Sequence, residues 1–485
     1  MRTPRFLGPM VVVVALAATS SQLDAAGSKT AALDSLLTYS QQHGLFSGAV
    51  LVASGDSVVL EKGYGWADRE WDVPITPDTK FRLGSVTKQF TAAVILQLVN
   101  EGAVSLDSTI SSYLPYYRAD TGRQVTIHHL LCHQSGIPNL TADPEYPQFS
   151  RQPFSTEEII RERCSGDLEF VPAAEFRYSN SNYVILGGII EAVIGTPYEN
   201  ALRARIFDPL HMGDTGYDRD DRIISHRARG YEPAPEGYRN ARYIDMSVPH
   251  GAGALYSTVR DLYRWDRALY GDGILPQEYR SLMFTPNKGG YGYGWGIRSI
   301  PIGAAGDSIQ VVRHSGGING FVSDIVRVPE RRQVVVLLSN TVDSKLTDLT
   351  SAIVNILYDQ TFRMPTLPLS PVLLATTLSE GADAAVRQYA TLKKEQAEVY
   401  DFGEDELNRL GYQLLEQQRF EDAIRIFRLN VEAFPESSNT YDSLGEAYKI
   451  AGNKKLAIEN LKKSLALNPG NTHAEELIKE VEGKE

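Results

Sequence analysis

The stretch Phe81-Arg82-Leu83-Gly84-Ser85-Val86-Thr87-Lys88 runs straight into an apolar segment, Phe90 to Val99, that reads as a helix. Its form is Ser-x-x-Lys at a helix start. A spacing of three sets the Ser85 hydroxyl and the Lys88 amine on one helical face, a turn apart and within hydrogen-bond reach. The amine can then take the hydroxyl proton. To do so it must be neutral part of the time, and burial together with the positive end of the helix dipole lowers its pKa from about 10.4. The same helix end offers the Ser85 N–H to a developing oxyanion. On spacing alone the pattern is equally an N-cap serine followed by an ordinary first-turn lysine, so context decides.

Context comes from two later segments. Phe176-Arg177-Tyr178-Ser179-Asn180-Ser181-Asn182-Tyr183 precedes an apolar helix pattern, Val184 to Val193, and Val312-Arg313-His314-Ser315-Gly316-Gly317 stands before a strand. In this order the three elements resemble the Ser-x-x-Lys, Tyr-x-Asn and Lys/His-x-Gly motifs of class C β-lactamases, D-alanyl-D-alanine peptidases and related esterases. Leu130 to Pro138, Tyr183 to Gly188, Asp208 to Met212 and Gly251 to Thr258 resemble the same family, and the likeness covers about residues 30 to 360.

The resemblance implies an α+β fold of the β-lactamase/transpeptidase type, an antiparallel sheet flanked by helices with a helical subdomain. It also implies roles: Ser85 as acylated nucleophile, Lys88 as its activator, and Tyr178 sharing the proton work. Asn180 would bond Lys88 or the substrate amide. The Ser85 and Gly317 N–H groups would form the oxyanion hole, with Gly316 and His314 beside them on the substrate. A phenol of pKa about 10 is a poor base unless positive charge, here Lys88, stabilises the phenolate. His314 departs from the β-lactamase pattern, which has Lys. Imidazole, with pKa about 6.5, is largely neutral at pH 7. If imidazolium held substrate carboxylates, KM for anions would rise as pH passes about 6.5. Esterases and D-amino-acid peptidases are therefore the better guide to activity.

The chain has 485 residues, 42% of them hydrophobic, and a net charge of -12. That suffices for one large core and a smaller second domain, and the acidity argues against a nucleic-acid partner. Arg2 and Arg5, an apolar run from Phe6 to Ala18 and small residues to Ala25-Ala26 have a secretory leader's layout. The run is too short to span a bilayer. Residues 1–26 are thus expected to be removed, leaving a periplasmic or secreted protein without a stable membrane span. Cys132 and Cys164 are the two cysteines, and their pairing is not expected.

Ala49 to Ala53 and Val58 to Leu60 flank Ser54-Gly55-Asp56-Ser57 as a hairpin. Val334 to Leu338 is a matching run that could join the same sheet, which suggests a hydrolase domain over 27–362 closed by its own ends. Pro365, Pro368 and Pro371 break the pattern and mark a linker at 363–378. Beyond it Leu410 and Leu444, Gly411 and Gly445, Ala423 and Ala457, Phe427 and Leu461, and Pro435 and Pro469 recur at a period of 34, the tetratricopeptide spacing. Repeats at about 404–437 and 438–471 are expected within an all-α module at 379–485, flanked by helical patterns at Ala382 to Gln396 and Thr472 to Val481. The C-terminal repeats also resemble tails fused to some members of the family.

Glu404-Asp405-Glu406-Leu407-Asn408 has the form of a deacylation motif but follows the third motif and lies in the first repeat, so it is a chance match. His129 and His133 have an i, i+4 spacing open to zinc, yet a third ligand is not evident. No cofactor is expected. The function expected is an exported serine hydrolase acting on an ester or amide of a small molecule or peptide. The alternative is a catalytically degenerate, penicillin-binding-like sensor or scaffold that binds a protein partner through its repeats.

Overall fold

The computed structural model describes residues 25–234, 237–303 and 306–483. The expected leader at 1–26 lies outside them, except for Ala25 and Ala26, which open helix α1 (Ala25–Gln42). The hairpin expected near the start forms as β1 (Gly48–Ser54) and β2 (Ser57–Tyr64), with Gly55 at φ +59° in the turn. Late in the domain follow β3 (Gly296–Ile302), β4 (Asp307–Ile318), β5 (Phe321–Val328) and β6 (Gln333–Ser339). They join in one 6-stranded antiparallel sheet of order β3-β4-β5-β6-β1-β2. Val50 pairs with Leu337 and Leu51 with Val336, so the two apolar runs are neighbours and the domain is closed by its ends.

Both runs are continuously apolar because both faces of the sheet are covered. Alternate side chains go to opposite sides. Ala49, Leu51, Ala53, Val334, Val336 and Leu338 pack toward a helical region. It contains α2 (Thr87–Asn100) and α3 (Asn180–Ile194). Val50, Val52, Val335 and Leu337 pack toward α1 and α4 (Leu346–Leu357) through Leu33, Leu36, Ile353 and Val354. A one-residue slip would exchange the two sets, so the register is strongly specified.

Beyond Leu357 the chain builds a helical unit. The linker expectation for 363–378 holds only at its start, because α5 (Ser370–Glu380) begins inside it. Pro371 falls in the first turn, where its missing N–H and fixed φ do no harm, and Leu369, Leu373 and Leu374 supply core. Then come α6 (Ala382–Glu395), α7 (Glu404–Glu416), α8 (Phe420–Ala433), α9 (Ser438–Ile450), α10 (Lys454–Leu467) and α11 (Thr472–Glu482). The matched glycines have matched surroundings: a Cβ on Gly411 would lie 2.4 Å from the Phe427 ring, and one on Gly445 2.7 Å from Leu461. A short parallel bridge of Leu367–Pro368 with Tyr400–Asp401 lies within this unit, and a Lys345–Asp401 ion pair at 2.8 Å ties it to the sheet domain.

Cys132 and Cys164 are buried free thiols, and burial pushes each up to about 12. Among the described residues no helix is long and apolar enough to cross a membrane.

A buried charge pair holds β5 to the helix Val259–Ala268: Asp266 and Arg327 are 0% and 1% exposed and hydrogen-bonded. The guanidinium also lies over the rings of Tyr270 and Phe284. Removing one partner strands the other charge, at a cost of about 3–5 kcal/mol. Asp266→Ala is therefore expected to lower the urea midpoint of the sheet domain, read by tryptophan fluorescence; an unchanged midpoint would show that the pair does not hold the layers together.

Candidate active site

Ser85 sits in a short 3-10 turn, Gly84–Val86, that leads into α2. Gly84 has φ +53°, and a Cβ there would lie 2.8 Å from the Gly317 carbonyl oxygen and 2.9 Å from its nitrogen. Only glycine fits that conformation and that approach. Ser323 on β5 donates its hydroxyl to the Leu83 carbonyl at 2.7 Å, and the Leu83 N–H donates to Leu255. A Cβ on Gly316 would strike the same carbonyl at 2.0 Å. The nucleophile turn is thus clamped against the end of β4, with the Gly317 nitrogen next to Gly84. Ser85 and Gly317 line the same cleft, the neighbourhood that an oxyanion hole built from their N–H groups would need.

Lys88, the second residue of α2 and one turn after Ser85, is 0% exposed. Its Nζ lies 3.0 Å from Ser85 Oγ, 2.8 Å from Asn180 Oδ1 and 2.8 Å from the Ala252 carbonyl. The last two can only accept. They engage two N–H bonds and leave a neutral amine's lone pair facing the Ser85 hydroxyl. Burial, the sole shift acting on it, holds the Lys88 pKa well below the usual lysine value. The Asn180 amide is oriented in turn, because its Nδ2 donates to Asn139 Oδ1 at 3.2 Å and Thr141 Oγ1 at 3.3 Å.

Tyr178 immediately precedes the Ser179 start of α3, and its ring lies 4.9 Å from Lys88 Nζ. The ring is partly exposed, but Oη is sealed from solvent and makes no hydrogen bond. Burial raises the phenol pKa; the Ser85 hydroxyl nearby lowers it by less. Burial thus favours the protonated phenol, and a neutral Lys88 would offer a phenolate no cation.

His314 differs most from expectation. It is 7% exposed, and both ring nitrogens are engaged, Nε2 with the Tyr291 hydroxyl at 2.8 Å and Nδ1 with the Ser315 carbonyl at 2.6 Å. Burial first, then Lys88, pushes its pKa down to about 3. It is neutral at physiological pH and cannot act as the cation for a substrate carboxylate. Its place is in the wall behind Tyr178, whose ring centroid is 6.3 Å away.

His133, weighed above as a zinc ligand, is also in this wall. It is fully buried, has φ +58°, and stacks on Tyr178 at 4.3 Å. Its Nδ1 lies 3.2 Å from the Ser179 nitrogen and 3.2 Å from Asn182 Nδ2. Both are donors, so Nδ1 is the unprotonated nitrogen. His133 therefore pins the Tyr178-Ser179-Asn180 turn that places two site residues at once. His129 instead closes a capping box with Thr126. His133, Asn139, Tyr291 and the Ala252 carbonyl were not assigned roles from sequence; the stretches Leu130 to Pro138 and Gly251 to Thr258 were the available signal.

In front of Ser85 lies a cavity of about 260 Å³. Leu140, Tyr146, Ile244, Val248 and Ile318 make its walls largely apolar, and no Lys, Arg or His is among its lining residues.

Residues 30–357 match the beta-lactamase family. Penicillin-binding protein 4* of Bacillus subtilis (strain 168) is 29% identical over 349 residues, 67% of this chain and 75% of that protein. Protein flp of Staphylococcus aureus (strain MRSA252) is 28% identical over 64% of this chain and 62% of its own length. Among solved structures, the D-amino acid amidase from Ochrobactrum anthropi SV3 superposes with a TM-score of 0.59 at 26% identity, over 68% of this chain and 99% of the amidase.

Positioning by His133 has a measurable consequence. His133→Ala should lower kcat on the order of 10²-fold with little change in KM. His133→Asn, which keeps an acceptor and tolerates the left-handed backbone, should recover part of the loss. Equal losses in both variants, or a loss confined to stability, would remove the positioning role.

Proposed function

Because the chain belongs to the beta-lactamase family, we propose that it is an exported serine hydrolase that cleaves an ester or amide bond through an acyl-serine intermediate, of esterase or D-amino-acid peptidase type. The observation that carries this reading is the buried Lys88 amine, whose two carbonyl acceptors turn its lone pair to Ser85 Oγ.

Ser85 Oγ attacks the carbonyl carbon as its proton passes to Lys88. The oxyanion is met by the N–H groups of Ser85 and Gly317. As the carbon–leaving-group bond breaks, the Tyr178 phenol protonates the departing oxygen or nitrogen, and the Lys88 ammonium restores the phenol. Water then enters, gives its proton to the same relay and releases the acid, returning Ser85. The uncommitted Tyr178 hydroxyl supports its part in this relay. An apolar cleft and a neutral His314 favour substrates without a carboxylate beside the scissile bond.

The Arg2, Arg5 and Phe6 to Ala18 pattern supports export to the periplasm or beyond. The C-terminal helix pairs are read as tetratricopeptide repeats, on the equivalence of Gly411 against Phe427 with Gly445 against Leu461. Through them the enzyme would hold a protein partner.

Intact-mass measurement after incubation with aryl esters, β-lactams and D-amino-acid amides should show an acyl adduct on the wild type and none on Ser85→Ala. Undiminished turnover in Ser85→Ala would overturn the assignment; tight binding of such a compound with no adduct would instead make the protein a sensor.

The pH profile carries a second test. Lys88 must be neutral to accept the proton, and its pKa is lowered, so kcat/KM should fall on acidification and reach its plateau at a pH well below that of an ordinary lysine. His314 should add no step to KM for anionic substrates between about pH 5.5 and 7.5. A rise in KM through that range would restore imidazolium as their ligand.

A further inference from the structure

A second cavity, about 550 Å³, lies behind the catalytic wall and shares no lining residue with the cleft at Ser85. Its floor is aromatic, built from Phe154, Tyr198, Tyr217 and His250. The His250 ring is 4.9 Å from Tyr198 and 6.0 Å from Tyr217. Tyr198 and His250 are 1% and 5% exposed and underlie the floor, so the rings a ligand can meet are those of the half-buried Phe154 and Tyr217, and burial raises the Tyr217 pKa and keeps that phenol uncharged.

The rim is acidic in an uneven way, and Arg219, the arginine among its lining residues, is paired with Asp221 and Glu199. Glu199, Asp218, Asp220 and Asp221 are each bridged to arginine. Glu191 accepts the Tyr198 backbone N–H at 2.9 Å, and Asp245 accepts from Ser247 and Tyr243. Among the described residues neither has a basic partner. Two carboxylates without a basic partner, lining the same cavity as the half-buried Phe154 and Tyr217 rings, attract a cation by charge and by the ring quadrupoles. A volume in the ordinary ligand range and an apolar floor call for an organic body on that cation.

We propose that this cavity binds an aryl- or alkylammonium ligand, separately from the acyl cleft, and that its occupancy alters the reactivity of Ser85. The link is short. His250, at φ +36°, opens the helix His250–Gly253. Thr91 on α2 donates its hydroxyl to the Gly251 carbonyl at 2.6 Å and meets the Tyr198 hydroxyl at 2.6 Å. The next carbonyl, that of Ala252, is one of the two that hold Lys88. A ligand bearing on Tyr217, whose ring packs on both Tyr198 and His250, thus bears on an acceptor on which the Lys88 lone pair depends.

Benzyltrimethylammonium, titrated by calorimetry into the full-length protein, should bind saturably at one site, equally in wild type and Ser85→Ala. Its neutral isostere neopentylbenzene should bind roughly tenfold more weakly, as should benzyltrimethylammonium to Glu191→Gln. Protein already acylated at Ser85 should still bind, and saturation should change the rate of Ser85 phosphonylation about fivefold or more. Absence of saturable binding, equal affinity for the isostere, or displacement by acylation would overturn the site. An unchanged labelling rate would overturn the link to Ser85. The isostere comparison needs no variant and stands even if Glu191→Gln does not fold.

Discussion

Everything at the candidate site follows from the burial of one amine. Lys88 sits at the start of a helix packed on all sides, with no carboxylate beside it. A charged ammonium there would lose its hydration with no counter-ion to replace it. The neutral form loses little, because two carbonyl oxygens take its N–H bonds and a hydroxyl takes its lone pair. The same low-polarity surroundings keep Tyr178 protonated and His314 uncharged. Burial is thus the main cause that sets three titratable groups in one protonation pattern, and the direction in which protons can flow is set with them.

The scaffold serves that burial. Gly84 and Gly316 permit the nucleophile turn to be pressed against β4, and Ser323 fixes it there. The aromatic wall of His133, Tyr178, Tyr183 and Tyr291 excludes water from the amine's other side. Such a site is preorganised, and little has to move when a substrate arrives.

Much of this was legible in the sequence. Apolar runs at Ala49 and Val334 read from their β-branched, strand-like pattern as strands that could share one sheet, and β1 and β6 pair directly. The helices after Ser85 and Tyr178 appeared from their apolar periodicity, within a few residues of their observed ends. The 34-residue spacing placed the later helix pairs. What sequence missed depends on burial and on local backbone. Imidazole's solution pKa suggested a switchable His314, whereas its enclosure by Tyr291 and Lys88 removes the switch. Three prolines suggested a linker across 363–378, whereas Pro371 begins a helix. His133 was weighed by spacing to His129, although its role comes from the turn at Ser179 that folds over it. Asn139 and the Ala252 carbonyl carry no motif of their own.

The pairing of β1 with β6 also has a bearing on how the chain reaches this state. Leu51 finds Val336 only after nearly the whole domain has been made, so the edge of β1 opposite its hairpin partner β2 waits unpaired while the intervening segment is synthesised. Folding dominated by such remote contacts is slow, and apolar strands left open in the interval are prone to associate with other chains. A nascent protein of this topology depends on being held apart from its neighbours until its last strand arrives, and its yield in a cell is set by that interval as much as by the stability of the finished sheet.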